Sequence, residues 1–136
     1  MSEDRTPMSK LGFKPGMRAC LVNVPEEAAP LLACAFEAQA ADPDWLIGFA
    51  PDSAGIVMLV RMLIPHYRRG GCLWLCYPKK SAAMKTDISR DTGWEPVFAL
   101  GLLPVTQISV DETWSALRYR YRDEIKKLTR RSPGGG

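Results

Sequence analysis

Three lysines and two hydroxyl residues lie close together in one polar stretch of the chain and could bind an anion. Ammonium groups attract phosphate and carboxylate groups as point charges, and hydroxyl groups add hydrogen-bond donors. The stretch directly follows an apolar run that ends at Tyr77, so it should lie at the end of a buried strand. An arginine on the last predicted strand could add a further positive charge. The predicted anion-binding residues are Lys79, Lys80, Ser81, Lys85, Thr86 and Arg118.

A simpler interpretation of the same stretch stays open. Lysines in a polar surface loop are usually solvated, and Thr86 or Asp87 would cap the helix that is predicted to follow them. Segments that cradle phosphate are commonly rich in glycine, and no glycine accompanies these lysines. The stretch is therefore either an anion site or a solvated loop that leads into a helix.

Three arginines alternate with apolar and aromatic residues near the C-terminus. Arg118, Arg120 and Arg122 should share one face of a strand, because successive side chains of a strand point to opposite faces. The tyrosines that could stack on nucleic-acid bases fall on the other face, so we expect no nucleic-acid partner. Charged side chains on a last strand also protect an exposed sheet edge. The sequence leaves open whether these arginines guard an edge or contact a partner.

The residues that most often perform catalysis or bind metals are sparse. His66 is the single histidine, and no carboxylate, Ser or Cys can be paired with it from the sequence. Cys20, Cys34, Cys72 and Cys76 show no Cys-x-x-Cys spacing, so neither a zinc site nor a disulfide framework is expected. Two of them, Cys72 and Cys76, should be buried thiols on one face of a strand. We therefore predict no catalytic residue, metal site or cofactor.

Apolar runs and the turns between them predict alternating strands and helices. Continuous apolar runs are typical of strands that are covered on both faces, as in parallel sheets. The order β-α-β-α-β-α-β-β predicts an α/β fold with three layers and a mostly parallel, Rossmann-like sheet that ends in an antiparallel hairpin. The predicted strands are 18–24, 45–49, 72–77, 105–110 and 114–122, and the predicted helices are 25–39, 54–64 and 88–100.

The positive charge of the chain is concentrated near its C-terminus. The 136 residues have a net charge of +3. Residues 118–131 hold seven basic and two acidic residues, a net +5, which leaves 11 basic and 13 acidic residues elsewhere, a net −2. A chain of this length fits one domain. We place it at 10–125, between a disordered segment 1–9 and a flexible, basic and glycine-rich tail 126–136.

No segment has the pattern of a secretory signal or a membrane span. The first ten residues are polar and lack the apolar core of a signal peptide. The longest apolar stretch, 54–65, is interrupted by Arg61 and is shorter than the ~20 residues that cross a bilayer. We therefore predict a cytoplasmic protein with no membrane contact.

Several segments resemble a bacterial family catalogued as domain of unknown function 3052 (DUF3052), in order and spacing, over nearly the whole of 10–122. The resemblance implies a cut-down class I methyltransferase-like Rossmann domain, and it brings no activity that can be transferred to particular residues. The segments are 10–16 (KLGFKPG), 21–26 (LVNVPE), 73–81 (LWLCYPKKS), 86–87 (TD) and 111–118 (DETWSALR).

The turn after the first strand argues against binding of S-adenosylmethionine. Such sites need glycines there, so that backbone N–H groups can approach the ligand. Residues 23–27 contain no glycine, Pro25 has no N–H to donate, and Glu26 and Glu27 would repel an anion. The second strand also lacks a terminal acidic residue for ribose, because Asp52 comes several residues late. We therefore expect no methyltransferase activity.

Three functional hypotheses remain. The first is a non-catalytic binding domain for a small anionic ligand or an acidic protein partner. The second is an enzyme of unassigned reaction, with a pocket at the carboxyl ends of the strands that uses Asn23, Ser53, Lys79 and Ser81. The third is a homo-oligomer, because the predicted helix 54–64 is apolar all round and a second copy could cover it.

Overall fold

One mixed sheet forms the centre of the protein. The computed structural model describes residues 7–14, 16–80, 86–89 and 92–125. Within these residues, five strands pair in the order β1-β2-β3-β5-β4. The strands are β1 (Ala19–Val22), β2 (Trp45–Phe49), β3 (Cys72–Pro78), β4 (Leu102–Ser109) and β5 (Trp114–Tyr121).

The helices are short, apart from one. The α-helices of the described residues are α1 (Pro7–Lys10), α2 (Ala33–Phe36), α3 (Ser53–Met62) and α4 (Glu95–Phe98). Three 3₁₀ helices accompany them, at Ala29–Leu32, Ile64–His66 and Arg122–Ile125.

The first three strands are parallel, and the last one runs against its neighbours. Ile47 pairs with Leu21 of β1 and with Trp74 of β3 in parallel register. β5 is antiparallel to both β3 and β4, with Arg118 opposite Trp74. The α/β fold with a mostly parallel sheet and a closing antiparallel hairpin is confirmed.

Helices cover both faces of the sheet, which gives the three predicted layers. On one face, Leu59 of α3 and Val97 of α4 belong to an apolar cluster with Leu117 and Tyr119 of β5. The opposite face packs against α2, the 3₁₀ helix Ala29–Leu32 and the segment after α1 through a second cluster. Its members include Leu11, Leu32, Ala35, Trp45, Trp74 and Trp114.

Two tryptophans fix the segment that precedes β1. The indole N–H groups of Trp45 and Trp74 both donate to the carbonyl oxygen of Leu11, at 2.9 and 2.8 Å. All three residues are buried. Burying an indole is favourable only when its N–H finds an acceptor, and here one carbonyl serves two indoles.

Helix α3 packs closely on β2 because a glycine leaves room for it. A Cβ atom on Gly48 would lie 2.6 Å from a methyl carbon of Leu59 and 2.7 Å from one of Leu63. The helix is capped by Asp52, whose carboxylate accepts the N–H of Gly55 at 3.0 Å. The predicted helix 54–64 is confirmed as Ser53–Met62.

Two predicted helices are much shorter than expected. The region 25–39 forms the 3₁₀ helix Ala29–Leu32 and then α2, because Pro30 lacks an N–H and belongs only in a first turn. Among the described residues of the region 88–100, α4 is the only helix. Gly93 has a φ of +100°, outside the helical region, and Pro96 lies in the first turn of the helix.

The interior position of β5 overturns one hypothesis about the arginines. β5 lies between β3 and β4, so Arg118 and Arg120 do not protect a sheet edge. The edge strands of the sheet are β1 and β4. Edge β4 contains Pro104 and a register shift between Pro104 and Thr106, and both features hinder pairing with another chain.

Candidate functional site

A cavity of about 550 Å³ opens at the carboxyl end of β3. Ligands of parallel α/β sheets bind at this end of the strands. The cavity lies beside the start of α3, since Asp87 in its wall bonds to Ser53, the first residue of that helix. Its lining residues are Lys79, Lys80, Thr86, Asp87, Ile88, Ser89 and Thr92.

Lys79 is held in place by the hairpin between β4 and β5. Its backbone N–H donates to the carbonyl oxygen of Thr113 at 2.7 Å, and its ammonium group donates to the hydroxyl of Ser109 at 2.6 Å. That hydroxyl donates in turn to the carbonyl oxygen of Asp111 at 3.3 Å. An ammonium group has three N–H bonds, so Lys79 keeps donors for a ligand.

Lys80 and Thr86 complete the polar wall of the cavity. Lys80 is exposed, and neither it nor Lys79 forms an ion pair with any residue that the structure describes. The hydroxyl oxygen of Thr86 accepts the N–H of Ile88 at 3.1 Å, which leaves the hydroxyl hydrogen to donate. The cavity therefore combines two ammonium groups with a hydroxyl donor.

The loop that carries these groups is anchored in the core. The side chain of Ile88 is buried among the apolar residues of the α3 side. The indole N–H of Trp94 donates to the carbonyl oxygen of Ser89 at 2.8 Å. The cavity wall is therefore held by packing and by a hydrogen bond.

Asp87 closes the N-terminus of α3. It accepts the N–H of Ser53 at 2.8 Å and the hydroxyl of Ser53 at 2.6 Å. These bonds, the hydroxyl first and the N–H second, lower the pKa of Asp87. With Asp52 bonded to Gly55, the protein's own carboxylates occupy the positive end of the helix. An anion in the cavity would thus be bound by side chains and not by α3.

The structure brings together only part of the predicted anion site. Lys79, Lys80 and Thr86 line one cavity, whereas Ser81 and Lys85 lie outside the described residues. Ser109 and Thr113 also hold Lys79, and no sequence pattern points to them. The hairpin that carries them reaches the cavity because Pro78 pairs with Trp114, a long-range register that no local pattern reveals.

The structure does not bring Arg118 to this cavity. Its guanidinium group donates to the carbonyl oxygen of Gly71, which precedes β3, whereas Lys79 follows β3. Eight residues at about 3.3 Å each place the two ends about 26 Å apart. Arg118 therefore belongs to the opposite, amino end of the sheet.

Glu124 organises that amino end of the sheet. Its carboxylate accepts hydrogen bonds from the Tyr67 hydroxyl, the Gly70 N–H and the Tyr121 N–H, at 2.8 to 3.0 Å. The side chain of Glu124 is only 6% exposed, and the guanidinium group of Arg120 lies 3.7 Å away. Glu124 therefore fastens the segment after β5 to the turn before β3.

A second cavity of about 430 Å³ lies beside this network. The guanidinium group of Arg69 stacks over the Tyr121 ring, 4.3 Å from its centre, and also bonds to Asp123 at 2.9 Å. The charge and the aromatic face are thus already partnered within the chain. This cavity therefore has fewer unpaired charged groups for a ligand than the cavity at Lys79 and Lys80.

Two of the four residues of the enzyme hypothesis, Asn23 and Ser53, are engaged in structural bonds, and Ser81 lies outside the described residues. The Asn23 amide donates to the carbonyl oxygen of Phe49 at 2.9 Å, and Ser53 is bonded to Asp87. His66 follows the far end of α3, about 15 Å along the helix from Ser53 at ~1.5 Å per residue. His66 is therefore too far from Ser53 to act as a base that activates the serine hydroxyl as a nucleophile.

The turn after β1 is closed by a contact across the sheet. The indole N–H of Trp114 donates to the carboxylate of Glu27 at 3.1 Å, and this bond lowers the pKa of Glu27. Asn23 has a φ of +62° at the start of the turn. The glycine-free turn therefore bonds within the protein at the place where a dinucleotide-type ligand would need backbone donors.

The cysteines are all free thiols. Cys76 is buried and Cys72 half-buried, and both pack in the cluster on the α2 side of the sheet. Burial raises the pKa of Cys76 well above its ordinary value. These two thiols therefore belong to the core, as their spacing predicts.

Neither a metal cluster nor a membrane helix is found in the described ranges. No three His, Cys, Asp or Glu side chains of these residues lie together in a group that could hold a metal ion. None of the helices in that part of the chain combines the length and the apolar character needed to cross a membrane.

Comparisons with known proteins found similar solved structures but no family. No family model matches the chain, and no curated protein matches it. Among solved structures, the chain is similar to the structure of LepI in complex with SAM, with a TM-score of 0.40 and 12% identity. The similarity covers 85% of this chain and 39% of that chain. It carries no argument about activity, and the resemblance to DUF3052 stays a prediction.

Proposed function

We propose that the chain is a small, non-catalytic α/β domain that binds an anionic ligand in the cavity at the carboxyl end of β3. The proposal rests on the convergence of Lys79, Lys80 and Thr86 on one cavity, with both ammonium groups outside any ion pair in the described parts of the chain. An ammonium group near the surface readily pairs with a phosphate or a carboxylate.

The size and lining of the cavity indicate a small phosphorylated or carboxylated molecule. Its volume of about 550 Å³ lies within the ~300–1,000 Å³ that is typical of small-molecule sites. The lysines and Thr86 would bind the charged group. The Asp87 carboxylate also lines the cavity, so its charge would disfavour a ligand with several negative charges.

The sequence segments also support a proposal about the family of the chain. We propose that the chain is a bacterial, cytoplasmic member of DUF3052, on the sequence segments that resemble that family. A role as an S-adenosylmethionine methyltransferase is not supported, because the turn after β1 has no glycine and Glu27 is bonded to Trp114.

Calorimetric and thermal-shift titrations test the proposed function. Inorganic phosphate, phosphorylated metabolites and dicarboxylates are added to the wild-type protein and to Lys80→Ala. Lys14→Ala, which removes an exposed lysine from another part of the surface, is the control. We expect at least one anion to raise the melting temperature of the wild type and of Lys14→Ala, and to bind Lys80→Ala more weakly.

Two results would overturn the proposal. One is the absence of any shift across the panel, and the other is equal binding to Lys80→Ala and the wild type. If an acidic protein bound but no small anion did, the ligand of the cavity would be an acidic protein partner and not a small molecule. Tight binding of S-adenosylmethionine would restore the methyltransferase hypothesis.

A further inference from the structure

Helices α3 and α4 leave an apolar surface uncovered. Six large apolar side chains are exposed among the residues that the structure describes, and five of them lie on or beside these two helices. The exposed fractions range from 43% to 53%. We call this surface the α3–α4 face, and its apolar members are Val57, Met58, Met62, Phe98 and Leu100.

The pattern along α3 is unusual for a helix that faces water. Its exposed side chains recur at the spacing of one helical stripe, and Arg61 is the only charged residue among them. The buried stripe is formed by Ile56 and Leu59. A surface helix normally presents polar side chains opposite its buried stripe, so α3 has apolar residues on both sides. Its exposed stripe consists of Ala54, Val57, Met58, Arg61 and Met62.

We propose that the α3–α4 face binds a second copy of this chain in a two-fold symmetric dimer. Contiguous apolar surface rimmed by polar residues marks interaction sites in soluble proteins. Helices α3 and α4 contact the same face of the sheet and each other, so their exposed residues form one surface. Association would remove this apolar area from water.

The charges on the face favour a second copy over another partner. Arg61 on α3 and Glu95 on α4 are exposed, and neither forms an ion pair within the described part of the chain. A two-fold axis in the contact plane, midway between the two residues, places each Arg61 against the Glu95 of the partner subunit. One cation and one anion therefore make the face complementary to itself.

The C-terminal segment offers little to cover the face. Residues 126–136 contain one large apolar residue, Leu128, and four basic residues. Five apolar side chains need more apolar surface than that segment contains. No residue of the α3–α4 face lines the lysine cavity, so a substitution in the face tests dimer formation without changing a residue of the cavity.

The molar mass in solution tests the proposal. Sedimentation velocity over about a hundredfold range of concentration should show a dimer that dissociates on dilution. Met58→Lys places a charge in the centre of the face and should weaken association roughly tenfold or more. Phe36→Lys is the matched control, because Phe36 is 39% exposed but lies on α2, on the other face of the sheet. It should dimerise like the wild type.

Exchange of the two charges tests the predicted pairing. Arg61→Glu and Glu95→Arg should each weaken the dimer, and the double variant should restore it. A wild type that stays monomeric throughout the series would overturn the proposal. A dimer that Met58→Lys leaves intact would also overturn it, since the contact would then lie elsewhere. Circular dichroism of each variant verifies that it is folded.

Discussion

Ser53 donates two hydrogen bonds to the carboxylate of Asp87, although the two residues lie 34 positions apart in the chain. This contact joins the loop after β3 to the beginning of α3. It fills the helix terminus with a charge from the protein itself, and neither Lys79 nor Lys80 forms an ion pair with a carboxylate that the structure describes. Asp87 thus caps α3, whereas Lys80 is the residue that we propose binds the anion.

Asp87→Asn should lower thermal stability and strengthen anion binding. The change weakens the contact with Ser53 and removes a negative charge from the cavity wall. We expect roughly two- to fivefold tighter binding of inorganic phosphate, measured by calorimetry at constant ionic strength. Unchanged or weaker binding would show that the Asp87 charge does not influence the cavity.

The stability effect of Asp87→Asn should depend on pH. The hydrogen bonds from Ser53 lower the pKa of Asp87, so the carboxylate contributes its full stabilisation above the ordinary value of 3.8. That contribution is lost as the pH falls through the lower pKa of the folded state. The melting temperatures of variant and wild type should differ at neutral pH and converge below about pH 3.8.

The two lysines should respond differently to replacement by alanine. Lys80→Ala should weaken phosphate binding about three- to tenfold and leave stability unchanged, because its side chain is exposed. Lys79→Ala should also reduce the free energy of unfolding by about 1 kcal/mol, because it loses the bond to Ser109. Urea titrations with and without phosphate separate the two effects. Equal losses of stability would contradict the prediction.

Asp111 should be required for the hairpin that holds Lys79. Its carboxylate accepts the backbone N–H groups of Thr113 and Trp114, each at 2.8 Å. Asp111→Ala should reduce the free energy of unfolding by about 1–3 kcal/mol, because both N–H groups lose their acceptor. Asp111→Asn keeps an acceptor oxygen and should cost less. If both variants unfold at the same urea concentration, the turn does not depend on this acceptor.

Glu124 should stabilise the amino end of the sheet. Glu124→Ala leaves the donors of Tyr67, Gly70 and Tyr121 without their acceptor, and should reduce the free energy of unfolding by about 2 kcal/mol. Asp123→Asn is the control, because its bond to Arg69 is exposed and surface ion pairs contribute about 1 kcal/mol or less. Chemical denaturation of both variants measures the difference, and an equal effect would refute it.

The stabilisation by Glu124 should disappear in acid. Burial alone would raise the pKa of Glu124, but its hydrogen bonds and the nearby Arg120 guanidinium group outweigh burial and lower it. The contribution is therefore complete above the ordinary value of 4.5 and is lost as the pH falls through the lower folded-state pKa. Glu124→Ala should consequently differ less from the wild type below about pH 4.5 than at pH 7.

The strands and their layers could be predicted because a strand that is buried on both faces has a continuous apolar run in the sequence. The apolar runs at β2 and β3 are continuous, and they match the observed strands to within one residue. The apolar character of α3 was equally visible, because Arg61 is the one charged residue in its exposed stripe. Helix lengths were predicted less well. Pro30, Gly93 and Pro96 interrupt patterns that otherwise resemble helices.

Long-range pairings could not be predicted in the same way. Nothing near Asp87 indicates that it caps α3, since the sequence offers a helix immediately after it as a nearer partner. The place of β5 between β3 and β4 is also decided by pairing across the sheet. Because of this strand order, Arg118 lies at the amino end of β3, opposite the end at which Lys79 lies. Lys79 contacts Ser109 and Thr113 of the β4–β5 hairpin instead.

The order of the strands also determines when the sheet can close during synthesis. β5 is made after the other four strands, yet it lies inside the sheet. Until Trp114–Tyr121 has left the ribosome, β3 presents an unpaired, apolar edge of the kind that joins other chains. The nascent chain is therefore exposed to aggregation from the time that β3 forms until β5 pairs with it.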